Sequence, residues 1–231
     1  MTFLYDLFVH QPGSDCSVLV LAYDVAPQAP FPRQLQQFTA MLGHLIDSMG
    51  HKPSDVMIGG DSSGGHAVLT VLSHLSHPHP RVPKLTLSEP LAGAFMISPL
   101  VSFDHETDYA KARALEPLDM IPMALPQKIK AAFLAGQPAD KWNDPIKAPS
   151  GWWSGLKVKD LLITGGRDET LGVDIEALSK RLQNEHARTT VVLSDREAHV
   201  AIITDVIGLM SKTRSESGQA IEAWVAERTK R

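Results

Sequence analysis

The chain has 231 residues, 43% of them hydrophobic and 21% charged, with a formal net charge of −4. That length suits one domain with a large core, and the balance is ordinary for a soluble globular protein. The charge gives no electrostatic reason for a nucleic-acid partner. The single cysteine, Cys16, excludes an internal disulfide, and no apolar run approaches the ~18 residues of a membrane span.

Residues 1–9 are apolar but short, carry Asp6 and lack a basic leader, so they read as an amphipathic helix rather than a signal peptide. The final residues, Arg228 to Arg231, are not a peroxisomal address. Nothing directs export, which makes a cytoplasmic location the default expectation. The continuous apolar run at 17–22 predicts a strand buried on both faces, with Cys16 beside it as a buried thiol. Residues 33–49 place Leu35, Phe38, Leu42, Leu45, Ile46 and Met49 at helical spacing and stop at Gly50. A second strand is expected at 55–60, then a helix at 63–76, a third strand at 92–98 and a fourth at 160–165. A helix at 172–187, a fifth strand at 189–193 and a closing helical segment at 200–228 follow. Buried strands alternating with amphipathic helices predict an α/β fold, a parallel sheet covered on both faces. Residues 102–148 break the alternation with proline-punctuated helical fragments, either a cap over a site or a surface excursion that packs.

Between the second strand and its helix stands Gly60-Asp61-Ser62-Ser63-Gly64, the one G-x-S-x-G of the chain. A serine in a sharp strand-to-helix turn is the setting of a nucleophile, and side chains on the flanking glycines would be expected to collide with neighbouring backbone. A serine hydroxyl needs a base in contact and an acid that orients the base. Two loops after late strands offer these groups. One carries Asp168 and Glu169, adjacent and each able to reach; the other carries His199. Sites in open α/β sheets lie beyond the carboxyl ends of the strands, where both loops fall. Among ten histidines, only His199 follows the last predicted strand and precedes the last helix. His66 abuts the turn but should point away from Ser62. His74, His77 and His79 lie at a helix end and in a proline-rich loop without a nearby carboxylate or cysteine, so no metal is expected. The Ser63 backbone N–H is the expected oxyanion donor.

These residues resemble the hormone-sensitive-lipase-like α/β-hydrolases, particularly a fungal branch of esterases and deacetylases, some serving secondary-metabolite pathways. Tyr23-Asp24-Val25-Ala26-Pro27 is similar to the family's Y-x-L-A-P segment, and Gly60-Asp61-Ser62-Ser63-Gly64-Gly65-His66 to its G-D-S-A-G-G-N. Ile97-Ser98-Pro99, Trp152-Trp153, the loop from Gly165 to Leu171 and Ala198-His199 also match. The resemblance implies one α/β-hydrolase domain over residues 1–231, with a mostly parallel sheet, helices on both faces and a partial helical cap at 102–148. It implies hydrolysis of a small-molecule carboxylic ester or acetyl group without a cofactor. Its register favours Glu169 over Asp168 as the acid. Trp152 and Trp153 either line an acyl pocket or simply pack. The family's H-G-G-G oxyanion loop has no counterpart before Ser17, so the chain resembles an N-terminally shortened member without the opening strands. A weakened catalyst is expected. The alternatives are a non-catalytic relative that binds a small apolar ligand or a partner chain, and an acyltransferase or cyclase using the same serine.

Overall fold

The computed structural model of the protein describes residues 16–206 and 214–229; the helix expected at 1–9 lies outside them. Among the described residues the sheet has four strands in the order β1 (Met57–Asp61), β2 (Leu91–Ile97), β3 (Val158–Gly166), β4 (Thr189–Ser194). All three pairings are parallel. Parallel neighbours need crossovers, which here include α2 (Ser63–Ser76) between β1 and β2 and α5 (Gly172–Glu185) between β3 and β4. α1 (Arg33–Gly43) precedes the sheet and ends in a short π-helical turn at His44–Ser48. Within the expected closing segment the described residues include α6 (Ala201–Val206) and α7 (Glu216–Thr229).

Strand alternation sorts side chains onto two cores. Ala94, Met96, Leu161 and Ile163 face one side, packed with Val68, Leu72, Ile175 and Leu178 of α2 and α5. Phe95, Ile97 and Leu162 face the other, against Ile202, Ile221, Trp224 and Val225 of α6 and α7. The excursion at 102–148 contributes α3 (Tyr109–Leu115) and α4 (Leu125–Leu134). α3 brings Ala112 against Val173 at the start of α5. Among the described residues, no helix is long and apolar enough to cross a membrane.

One expected strand is corrected. Residues 17–22 form no ladder, and Val18, Leu19 and Val20 stand 37%, 56% and 51% exposed. A buried strand needs a neighbour on its open edge, and among the described residues β1 pairs with β2 alone. Cys16 beside this run is accordingly half-buried rather than buried.

Pairing register brings the four carboxyl ends together. Asp61 lies beside Ile97, Ile97 beside Thr164, and Gly166 beside Ser194. Four turns therefore emerge side by side from one end of the sheet.

Candidate active site

At the end of β1 the chain turns into α2 through Ser62, whose backbone sits at φ 51°, ψ −114°. A non-glycine residue there carries strain of about 1–3 kcal/mol and persists only where its surroundings fix it. They do so through three backbone bonds. Ser62 N–H donates to Ile97 O at 2.8 Å, and Ser62 O accepts from His66 N at 3.0 Å and Leu100 N at 3.1 Å. Gly60 is required by close approach, since a Cβ would stand 2.4 Å from the Gly64 carbonyl carbon. The matching expectation for Gly64 is corrected: a Cβ there meets nothing within 4 Å, because that face of the first helical turn is open. The Ser63 N–H belongs to that turn, whose leading N–H groups have no intrahelical acceptor and stay available for an anion.

The loops after β3 and β4 supply an acid–base pair. His199 Nδ1 and Glu169 Oε2 are 2.7 Å apart, with side chains 3% and 0% exposed. The other Glu169 oxygen, Oε1, accepts from Gly166 N at 2.7 Å. Burial pushes the Glu169 carboxyl up, and the bond to His199 opposes the rise. Of the two adjacent acids, it is thus Glu169 that meets His199. Asp168 is half-buried, and its backbone N–H donates to Glu197 O at 3.1 Å.

The turn after β2 links the Ser62 and His199 segments. Ile97 and Leu100 hold the Ser62 backbone, while Ser98 Oγ accepts from Val200 N at 3.1 Å, one residue beyond His199. Ser62 Oγ and His199 form no direct hydrogen bond, an arrangement common before substrate binds. Two groups that sequence reasoning did not single out also hold the loops. The Glu197 carboxylate accepts from the Glu216 and Ser217 amides at 2.6 and 3.2 Å, capping α7. Asp119, from the 102–148 excursion, accepts from the amides of Thr170 and His199 at 2.7 and 3.1 Å. The Glu197 bonds span 19 and 20 residues, and Asp119 lies 51 and 80 residues from its partners. No local pattern marks such pairs.

The two tryptophans lie elsewhere, which corrects the acyl-pocket expectation in favour of packing. Trp152 Nε1 donates to Ser73 Oγ at 3.1 Å, and its ring stacks on His77 at 3.9 Å. Ser73 is about 16 Å along α2 from the Ser62 turn at 1.5 Å per residue. Trp153 is fully buried, and its backbone N–H donates to the Glu185 carboxylate at the far end of α5. Both serve the core at the opposite end of the sheet.

The remaining candidates are accounted for by protein partners. His66 Nε2 bonds Asn143 O at 2.9 Å, and burial pushes its pKa down to about 4, so it stays neutral. His74 and His77 bond the carbonyls of Pro83 and Trp152, and His79 N donates to His74 Nδ1. One acidic group, Asp104, Glu106 and Asp144, gathers carboxylate oxygens within 4.8 Å. Lys130 pairs with Asp104 and Lys147 with Glu106, so the protein's own cations occupy much of that cluster.

A parallel sheet with helices on both faces, a serine in a strained turn and a buried carboxylate–histidine pair beyond its carboxyl ends define an α/β-hydrolase architecture. The comparisons agree. Residues 10–203 match the alpha/beta hydrolase fold family, to which the chain belongs, within its hormone-sensitive-lipase-like branch. Steryl acetyl hydrolase 1 of Saccharomyces cerevisiae is 27% identical over 163 residues, covering 67% of this chain and 36% of that protein. The chain thus spans about a third of that curated relative. An esterase/lipase from an uncultured bacterium superposes with a TM-score of 0.72 at 29% identity, covering 94% of this chain and 67% of that one. An esterase of the bacterial hormone-sensitive lipase family gives 0.74 at 25% identity, covering 95% and 67%. Carboxyl esterase 2 of the fungus Tuber melanosporum gives 0.76 at 16% identity, covering 99% of this chain and 71% of that one, a likeness of fold alone.

Proposed function

We propose that this chain hydrolyses small-molecule carboxylic esters, acetyl esters among them, through an acyl-enzyme on Ser62. The observation that carries the reading is the buried Glu169–His199 pair at 2.7 Å, bonded through Val200 to the same turn after β2 that holds the strained serine. Glu169 accepts from His199 Nδ1–H, which leaves Nε2 as the free lone pair, the tautomer a general base needs. As substrate enters, Nε2 takes the Ser62 proton and Oγ adds to the ester carbonyl. The Ser63 N–H, with the partial positive charge of the α2 N-terminus, faces the developing oxyanion. His199 then returns the proton to the leaving alcohol. Water repeats the sequence on the acyl-enzyme and releases the acid. Ester and acetyl-ester hydrolysis by relatives whose names carry those activities supports the substrate class. The excursion at 102–148 acts as a cap, since it reaches the acid and base loops through Asp119. A role in secondary-metabolite biosynthesis follows from the family resemblance.

A non-catalytic binding role is favoured by one observation, the exposed apolar run at Val18, Leu19 and Val20. Against it stands the energetic cost of an ionisable pair with almost no exposure, which a binding surface does not require. The test is turnover of p-nitrophenyl acetate and butyrate by the purified chain and by Ser62→Ala. The proposal expects hydrolysis by the former and only background from the latter. Equal rates for both would refute it.

A further inference from the structure

We propose that Asp119 is a positioning residue for the Glu169–His199 pair, a clamp by which the 102–148 excursion sets the spacing of the two loops that carry acid and base. The proposal rests on the reading of Ser62, Glu169 and His199 given above.

The bonding of the carboxylate is specific. Oδ2 accepts from Thr170 N at 2.7 Å and from Thr170 Oγ1 at 3.1 Å. Oδ1 accepts from His199 N at 3.1 Å and from the adjacent Met120 N at 2.8 Å. Three of the four donors therefore belong to the base itself and to the residue immediately after the acid. A carboxylate that merely closed a local turn would spend its oxygens on its own backbone, as only the Met120 bond does. Both oxygens are fully engaged, and the bonds are charge-assisted, which makes them short and directional.

The residues beside Asp119 are not held by burial; the nearest buried anchor of this strap is Met123, packed with Ala112 and Val173. Leu118 and Met120, on either side of Asp119, are 57% and 56% exposed. The polar link from the strap to the acid and base loops is the carboxylate, together with Thr170 Oγ1, which also lies 3.1 Å from Ile121 O. Thr170 itself is fully buried, so displacing Asp119 strands its N–H in the interior. That N–H is one peptide from Glu169, and the His199 N–H is on the base. Losing the clamp therefore acts on the two backbones whose separation fixes the 2.7 Å contact. The negative charge of Asp119 also lies close enough to add to the upward push on the Glu169 carboxyl.

The test compares Asp119→Ala, Asp119→Asn, Glu169→Gln and Asp119→Ala/Glu169→Gln in the full chain. Rates are read as fluorophosphonate labelling and as kcat and KM on p-nitrophenyl butyrate. In parallel, the far-downfield proton resonance of the His199 Nδ1–H bond is followed by NMR. Asp119→Ala should lower kcat about 10- to 100-fold with KM little changed, the size of effect a misplaced catalytic group produces. Asp119→Asn should fall between, because the amide keeps one acceptor and must turn a donor towards a donor. It also serves as the isosteric variant should the alanine chain fold poorly. The double variant should be no slower than Glu169→Gln alone, since both substitutions act through one pair. The low-field resonance should move or broaden in both Asp119 variants. Wild-type rates in the Asp119 variants with loss in Glu169→Gln would overturn the clamp and leave the hydrolase reading intact, as would effects that multiply in the double variant. Equal labelling of wild type and Ser62→Ala would overturn the hydrolase reading; an unchanged low-field resonance in Asp119→Asn would then still overturn the clamp.

Discussion

Replacing Glu169 by Gln changes one atom, and the structure dictates what that atom does. Gly166 N–H donates to Oε1 at 2.7 Å, so the amide must keep its oxygen there. The NH2 group then faces His199 Nδ1, which Oε2 contacts at 2.7 Å in the native chain. To accept from NH2, the imidazole must move its proton to Nε2, and a protonated Nε2 cannot take the proton of Ser62. The wrong tautomer with intact geometry typically costs about 10⁴ in kcat, or about 5.5 kcal/mol of transition-state stabilisation. The fold should tolerate the change, because no unpaired charge is left buried once His199 is neutral. The pH dependence of stability carries a second signature. Burial raises the folded Glu169 carboxyl above its unfolded value. The folded chain then holds that proton more tightly, and stability falls as pH rises from the ordinary glutamate value towards the raised one. Glu169→Gln removes that slope. The assay is kcat on p-nitrophenyl butyrate, with thermal melts across the same pH range. A Gln variant within about tenfold of wild type, beside a large loss in Asp168→Asn, would refute the reasoning about tautomer and acid.

Three further outcomes follow from the same structure. Ser62→Gly should raise stability by about 1 kcal/mol in denaturant melts while abolishing turnover, because glycine relieves the strain at φ 51°; a less stable glycine variant would contradict the strain argument. Burial pushes the Asp144 carboxyl up to about 7, and neither of its oxygens has a partner among the described residues. Its folded pKa lies above its unfolded value, so it detracts from stability increasingly between about pH 4 and 7, by up to about 4 kcal/mol. Asp144→Asn should match wild type near pH 4 and exceed it at pH 8, and a constant difference across that range would count against the assignment. Trp153→Ala should cost about 3–5 kcal/mol of stability and leave acyl-chain preference unchanged per folded molecule, whereas an altered preference for butyrate over acetate would return Trp153 to the substrate pocket.

Much of this was legible because it is local. The strand, turn and helix around Ser62 are contiguous, and buried runs with helical periodicity fixed the four paired strands to within two residues or so at each end. Glu169 and His199 were legible as candidates because each directly follows a strand. The choice between Glu169 and Asp168 needed side-chain direction, which adjacency hides and family register supplied. Asp119, Glu197 and the Ser98 hydroxyl were not legible as supports, because their partners are 19 to 102 residues away and any polar residue could occupy such loops. The run at 17–22 misled for the opposite reason. Its composition suits a strand, but a ladder depends on a neighbour, and hydropathy carries no information about one.

The most direct test of the central claim is peptide mapping by mass spectrometry after brief reaction with a fluorophosphonate. The account predicts a single adduct on the Ser62 Oγ, formed rapidly in the wild type, slowly in Glu169→Gln and not at all in Ser62→Ala. An adduct on another residue, or one that persists in Ser62→Ala, would contradict it.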